Sequence, residues 1–251
     1  MKLFGLDFPN IAMKFCEKKE YAEAISKGII YMKESGYFRK LEDTYRGDPV
    51  DGKCPIDLEG QIGAIESADG ERIEFIIGKD FVFGFVKDDK IPIFCATLLD
   101  ETILEMKEKI SENKYIVAFR PEFKEGIKDF GEYIVLFNLD DFLNKADEYL
   151  KKHHIMAKSA KVEYVDIMKQ YNEQMLDDKR DQYLPFFKKH ITYKWQNEWR
   201  MVLIDHEHKL IKDDCDYYVM ELGELYQAQV VGIDFISNDE ITLSVGKQNN
   251  D

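Results

Sequence analysis

Hydrophobic and polar positions along this chain change period several times, and each change marks an element. Ile11 to Cys16 is apolar enough for a strand. Tyr21, Ala24 and Ile25 then fall at helical spacing within Lys18 to Lys27, and Gly28 stands where a helix stop belongs. Ile29 to Met32 follows as a short strand. Beyond Tyr37-Phe38-Arg39-Lys40-Leu41-Glu42-Asp43, the run Arg46-Gly47-Asp48-Pro49-Val50-Asp51-Gly52 gathers the residues of a loop.

The middle of the chain is rich in strands. Ile73 to Ile77 and Phe81 to Val86 flank Gly78-Lys79-Asp80 and predict a hairpin, with Phe81, Phe83 and Phe85 on one face. Ile91 to Leu98 reads as a third strand. A helix is expected from Glu101 to Ile110, capped by Asp100, because Ile103, Met106 and Ile110 share a side. Tyr115 to Phe119 and Tyr133 to Phe137 are further strands. Asp140 to Lys152 carries the clearest helical stripe (Phe142, Leu143, Ala146, Tyr149, Leu150) and closes on lysines that suit a helix C-terminus.

Val162 to Ile167 is expected as a strand, Met168 to Lys189 as helix broken near Pro185, and Glu198 to Ile204, Tyr217 to Glu221, Val230 to Ile236 and Ile241 to Val245 as strands. Strands outnumber helices, and short turns join several of them. The pattern predicts an α+β fold with a mixed, mainly antiparallel sheet core and flanking helices, not a doubly wound parallel sheet. No Gly, Ser or Pro linker divides the chain, so residues 1–245 read as one domain and 246–251 as a flexible tail.

Composition changes this picture in two respects. The 251 residues hold 49 acidic against 35 basic side chains, a formal net charge of −14, which opposes binding to nucleic acid or anionic membrane unless positive charge is concentrated locally. The richest basic block, Lys188-Lys189-His190 with Lys194 nearby, is short and reads as solvated surface. The four cysteines (Cys16, Cys54, Cys95, Cys215) lack the spacing of a disulfide framework or a zinc site, and with no secretory start and no long apolar run a cytoplasmic setting is expected.

Two stretches stand out as candidate chemistry. Tyr37-Phe38-Arg39 and Arg46 sit beside acids and glycines, where guanidinium forks suit a phosphate or pair with neighbouring carboxylates in a surface loop. On a strand, Gln196, Glu198 and Arg200 would share one face, opposite Trp195, Trp199 and Met201. Such a polar row is costly to bury unless it pairs or meets a ligand. His206-Glu207-His208 lacks a third metal ligand at a diagnostic spacing and reads as a polar turn, and Cys95 reads as a buried core thiol. No metal site is expected. Dinucleotide-binding, phosphate-loop, nucleophile-elbow and zinc-protease signatures are absent from the sequence.

Phe15-Cys16, Tyr21-Ala22, Gly28-Ile29-Ile30-Tyr31-Met32, Tyr37-Phe38-Arg39, Arg46 to Gly52 and Gln196-Asn197-Glu198-Trp199-Arg200 together resemble a group of uncharacterised bacterial and phage domains. That group is in turn distantly similar to ADP-ribosyltransferases, which carry a Glu/Gln-x-Glu pair on a late strand. The resemblance implies an NAD-handling domain that transfers ADP-ribose to a macromolecule or hydrolyses NAD. It places Glu198 on the ribose 2′-hydroxyl, Gln196 beside the acceptor, and Tyr31, Tyr37, Arg39, Arg46 and Arg200 on the dinucleotide. Lys14-Phe15 stands where an Arg or His is usual. The rival reading is a non-enzymatic acidic interaction or inhibitor protein of phage–host conflict that binds a protein partner.

Overall fold

The computed structural model describes residues 2–40, 54–56, 62–66, 72–76, 81–83, 89–166, 183–207, 209–238 and 240–244. Its first element is a tight hairpin, β1 (Lys2–Leu3) and β2 (Leu6–Asp7), turned through positive φ at Phe4 and Gly5. β3 (Ile11–Cys16), α1 (Lys19–Ser26) and β4 (Ile29–Glu34) then appear as the apolar periods predict. Gly28 is required between α1 and β4: its φ is 78°, and a Cβ there would lie 1.9 Å from the Gly223 carbonyl oxygen. After α2 (Ser35–Lys40) come four short strands, β5 (Cys54–Ile56), β6 (Ile62–Glu66), β7 (Arg72–Ile76) and β8 (Phe81–Phe83).

β9 (Pro92–Leu98) opens the central run. It is followed by β10 (Leu104–Ser111), β11 (Lys114–Phe119), α3 (Pro121–Gly126) and β12 (Tyr133–Asn138). α4 (Leu139–His153) starts where the Asn138 side chain accepts hydrogen bonds from the Asp140 and Asp141 amides, and it buries Phe142, Ala146 and Leu150. β13 (Met156–Lys161), β14 (Glu163–Val165), β15 (Lys188–His190), β16 (Glu198–Ile204), β17 (Tyr217–Glu221), β18 (Gln229–Gly232), α5 (Asp234–Ser237) and β19 (Ile241–Ser244) complete the chain.

The fold is α+β and almost wholly antiparallel. An eight-stranded sheet runs β13-β16-β9-β3-β12-β18, with β4 and β17 branching from β9. A three-stranded sheet, β10-β11-β19, lies apart from it, and β14 with β15 is a parallel pair. One apolar cluster packs the helices α1 and α4 against the large sheet through Phe94, Phe137, Phe142 and Trp199. A second joins the sheet to β10-β11-β19 through Met13, Ile134, Leu104, Phe119 and Phe123. A third, smaller cluster holds Ile93, Val202, Tyr183, Phe186 and Phe187.

The sheet branches at β9. One edge of β9 pairs with β16 from Ile93 to Thr97. The opposite edge pairs with β3 only at Thr97 and Leu98, and with β4 only at Pro92 and Ile93. β3 and β4 therefore diverge from one another, and Phe94, Cys95 and Ala96 lie in the fork between them.

Several expectations are corrected. Glu101 to Ile110 is not a helix: a turn held by the Asp100 carboxylate on the Thr102 amide leads into β10, which forms a hairpin with β11. Met106 and Ile110 are half exposed there, while Ile103, in the turn before β10, is fully buried, so the three do not share a buried side. β7 and β8 do not form the expected hairpin; β7 pairs with β6 and β8 with β5. The expected strand from Val230 to Ile236 ends at Gly232 and turns into α5. The predicted strand at Val162 to Ile167 is narrower, with β13 before it. Of the predicted helix from Met168 to Lys189, residues 168–182 lie outside the described residues. Its end is a 3-10 turn, Leu184–Phe187, running into β15. Phe85 and the tail 246–251 also lie outside the described residues. No described helix is long and apolar enough to cross a membrane.

Candidate functional site

The fork at β9 opens into a cleft of about 590 Å³. β3 supplies Lys14 and β4 supplies Tyr31 and Lys33. Tyr37 comes from α2, and Gln196 and Glu198 come from the segment entering β16. Tyr31, Tyr37, Gln196 and Glu198, singled out from opposite ends of the sequence, thus line one hollow. Arg200 is not in its wall. Arg39 lies in the last turn of α2 with its side chain outside the described residues, as is the whole of Arg46.

The late segment does not run as a continuous strand. Ile191–Gln196 is a 3-10 helix, and Asn197 takes left-handed backbone angles (φ 46°, ψ 49°) before β16 begins at Glu198. Gln196 consequently reaches the cleft from a turn, not by strand alternation with Glu198. The same break separates the tryptophans: Trp195 packs with Phe123 and Phe130 in the second apolar cluster, and Trp199 packs in the first. From Glu198 onward alternation holds, with Trp199, Met201 and Leu203 in the helix-covered cluster and Val202 on the opposite side.

Glu198 is the centre of a buried polar cluster. Arg200 donates to both of its oxygens, from Nε to Oε1 at 2.7 Å and from Nη2 to Oε2 at 3.2 Å, and donates from Nη1 to the Phe186 carbonyl at 2.8 Å. Lys189 Nζ donates to Glu198 Oε2 at 3.1 Å and to Gln196 Oε1 at 2.6 Å. The side chains of Glu198, Arg200 and Lys189 are 9%, 1% and 4% exposed, so solvent screens these pairs little. Burial opposes ionisation of Glu198, but Arg200 and then Lys189 outweigh it and hold the carboxyl well below the usual carboxylate range. Arg200 is thereby committed to fixing Glu198 and does not reach the cleft as a ligand contact.

The surrounding groups are neutral. Cys95 pairs with Arg200 across the β9–β16 register, and burial, and then the Glu198 charge, push its thiol far up. Tyr164 on β14 accepts the Glu198 backbone N–H at 2.8 Å, and burial followed by the same negative charge raises its phenol. The open edge of β9 is closed from the other side by Lys14, whose Nζ donates to the Cys95 carbonyl at 2.8 Å and stands 5.1 Å from the Phe94 ring centroid.

The mouth of the cleft is aromatic. Tyr31 is 46% exposed and meets Tyr217 edge-on, with ring centroids 5.4 Å apart. Lys33 lies 4.9 Å from the Tyr37 ring and 5.5 Å from that of Tyr217, and pairs with Asp216 at 2.8 Å. Sequence reasoning did not find Lys189, Tyr164, Lys33 or Tyr217 as site residues. Lys14 carried a usable signal, a lone charge inside the apolar run Ile11 to Cys16. Lys189 carried the opposite one, because a Lys-Lys-His block looks like surface.

Asp205 is also buried, but it caps a turn by accepting the Lys209 and Leu210 amides. Among the described residues no three His, Cys, Asp or Glu side chains gather to hold a metal; His208 lies outside them. Comparison with protein-family models, curated proteins and solved structures found no match.

Proposed function

We propose that the fork cleft handles NAD in the manner of an ADP-ribosyltransferase, passing ADP-ribose to a macromolecular acceptor or to water. The observation that carries this reading is convergence: Tyr31 and Tyr37 from the early segment and Gln196 and Glu198 from the late one line a single cleft. Its volume and its mixture of rings with a few polar groups suit an organic ligand of dinucleotide size.

The chemistry follows from the state of Glu198. Departure of nicotinamide builds positive charge on the ribose, and an ionised carboxylate beside the sugar accepts a ribose hydroxyl and fixes its orientation. Arg200 and Lys189 share the negative charge of Glu198, so its main contribution is a rigid acceptor more than a strong field. A carboxylate offers about four lone-pair sites. Arg200 and Lys189 occupy three, which leaves one for a sugar hydroxyl. Tyr31 and Tyr217 offer ring faces and edges at the mouth for a planar base.

The test is nicotinamide release from NAD by the purified protein, with and without cell extract. Wild type should release nicotinamide above the protein-free rate, and Glu198→Gln should fall at least about 100-fold, the size of a lost transition-state contact. Equal traces from wild type and Glu198→Gln would refute the reading.

A further inference from the structure

We infer that the floor of the cleft is an anion subsite, built by Lys14 and Lys189, that takes the phosphate or pyrophosphate group of a nucleotide. The inference rests on charge and not on the transfer chemistry, so it stands or falls separately from the NAD reading.

Lys189 is buried to 3% exposure in a protein whose net charge is −14. Its neighbours are the Gln196 carbonyl oxygen, the Glu198 carboxylate and the Tyr193 ring, 5.1 Å away. Gln196 is neutral, and Glu198 is already gripped at both oxygens by Arg200. Among the described residues the carboxylate that pairs with Lys189 is therefore divided between two cations, and the ammonium is left incompletely neutralised. A buried cation in that condition is expensive unless an anion completes it.

Lys14 shows the same shortfall independently. Among the described residues its hydrogen-bond acceptor is the Cys95 backbone carbonyl, which carries no net charge, and its ammonium stands near the Phe94 ring. The two lysines flank one pairing of the sheet: Lys14 holds the carbonyl of Cys95, whose register partner Arg200 grips Glu198, which bonds Lys189. Both line the same cleft, which also contains Glu17 and, nearer the mouth, Lys33 paired with Asp216. Two ammonium groups match a doubly charged phosphate or pyrophosphate better than a single carboxylate. Lysine binds phosphate well as a compact point charge with rotatable donors. The tyrosines at the mouth leave room for the organic remainder of such a ligand.

Calorimetric titration with pyrophosphate, ADP and adenosine tests this. Wild type should bind ADP at least about tenfold more tightly than adenosine, one charge-assisted contact being worth that much. Lys14→Met should abolish that preference while leaving adenosine binding unchanged, and Lys189→Met should abolish it as well. Lys152→Met, on the last turn of α4, should behave as wild type. If Lys189→Met fails to fold, Lys14→Met and the charge-preserving Lys189→Arg decide: the first should lose the preference and the second keep it. Equal affinity for ADP and adenosine, no binding of either ADP or pyrophosphate at millimolar concentration, or an unchanged preference in Lys14→Met would overturn the inference. ADP binding without NAD turnover removes the transfer reading alone. Turnover without discrimination between ADP and adenosine removes the subsite alone.

Discussion

Replacing Glu198 by alanine should unfold this protein far more readily than its position at one end of a strand suggests. The substitution deletes the acceptor for three donors, Arg200 Nε, Arg200 Nη2 and Lys189 Nζ, all inside the protein. Arg200 is 1% exposed and cannot reach water without moving β16 or the Leu184–Phe187 turn, whose Phe186 carbonyl it also holds. Breaking a buried pair by removing one partner costs about 3–5 kcal/mol, because the surviving charge stays desolvated. For a chain of this size each kcal/mol moves the melting midpoint by about 2–4 °C, so a drop of ~6–20 °C is expected. Urea unfolding followed by circular dichroism supplies the free energy, and calorimetry the midpoint. Adding Lys189→Met to Glu198→Ala should recover part of the loss, since one orphaned charge goes with it. A cost under about 1 kcal/mol for Glu198→Ala would refute the reasoning, since only exposed pairs are worth so little.

The remaining predictions use other parts of the fold. The Glu198 carboxyl is depressed in the folded state, so its contribution is full above the unfolded value near 4.5 and is lost as pH falls toward the folded value. Stability measured against pH should show wild type converging on Glu198→Gln below about pH 4.5, and a constant gap at all pH would contradict the assignment. Gly28→Ala should cost about 2–4 kcal/mol in urea unfolding, because its Cβ meets Gly223. Gly5→Ala, at φ 86° but in open space, should cost only about 1–2 kcal/mol. Asn138→Ala should destabilise by about 1 kcal/mol through loss of the α4 cap. Tyr31→Ala should raise KM for NAD about tenfold through a lost stacking surface, with unchanged melting, since its ring is half exposed.

Local period carried much of the fold into view, and its limits are physical. Ile11–Cys16, the helix ending before Gly28, Pro92–Leu98 and Tyr217–Glu221 were legible because alternation or a stop residue defines each within a few positions. Pairing was not legible. Nothing local tells β7 to choose β6 over β8, or tells β9 to split its free edge between β3 and β4. The apolar spacing of Ile103, Met106 and Ile110 mimicked a helix across a turn and an edge strand, where Ile103 is buried and the other two are half exposed. At the site, Glu198 and Arg200 were visible as a polar pair on an apolar strand. Gln196 was misplaced because a left-handed Asn197 interrupts the alternation, a backbone choice the sequence permits without announcing. Lys189 escaped because its burial depends on β14 and β15 pairing in parallel across a long stretch of chain.

The proposed seat of NAD is the fork of the large sheet, between its early tyrosines and Glu198. A crystal structure of the protein with ADP-ribose measures this directly. The ligand is expected in the cleft at β9, with a ribose hydroxyl within hydrogen-bonding distance of the Glu198 carboxylate and a ring against Tyr31 or Tyr217. An empty cleft with ADP-ribose bound on another face, or Glu198 still held by Arg200 and Lys189 with no sugar contact, would contradict it.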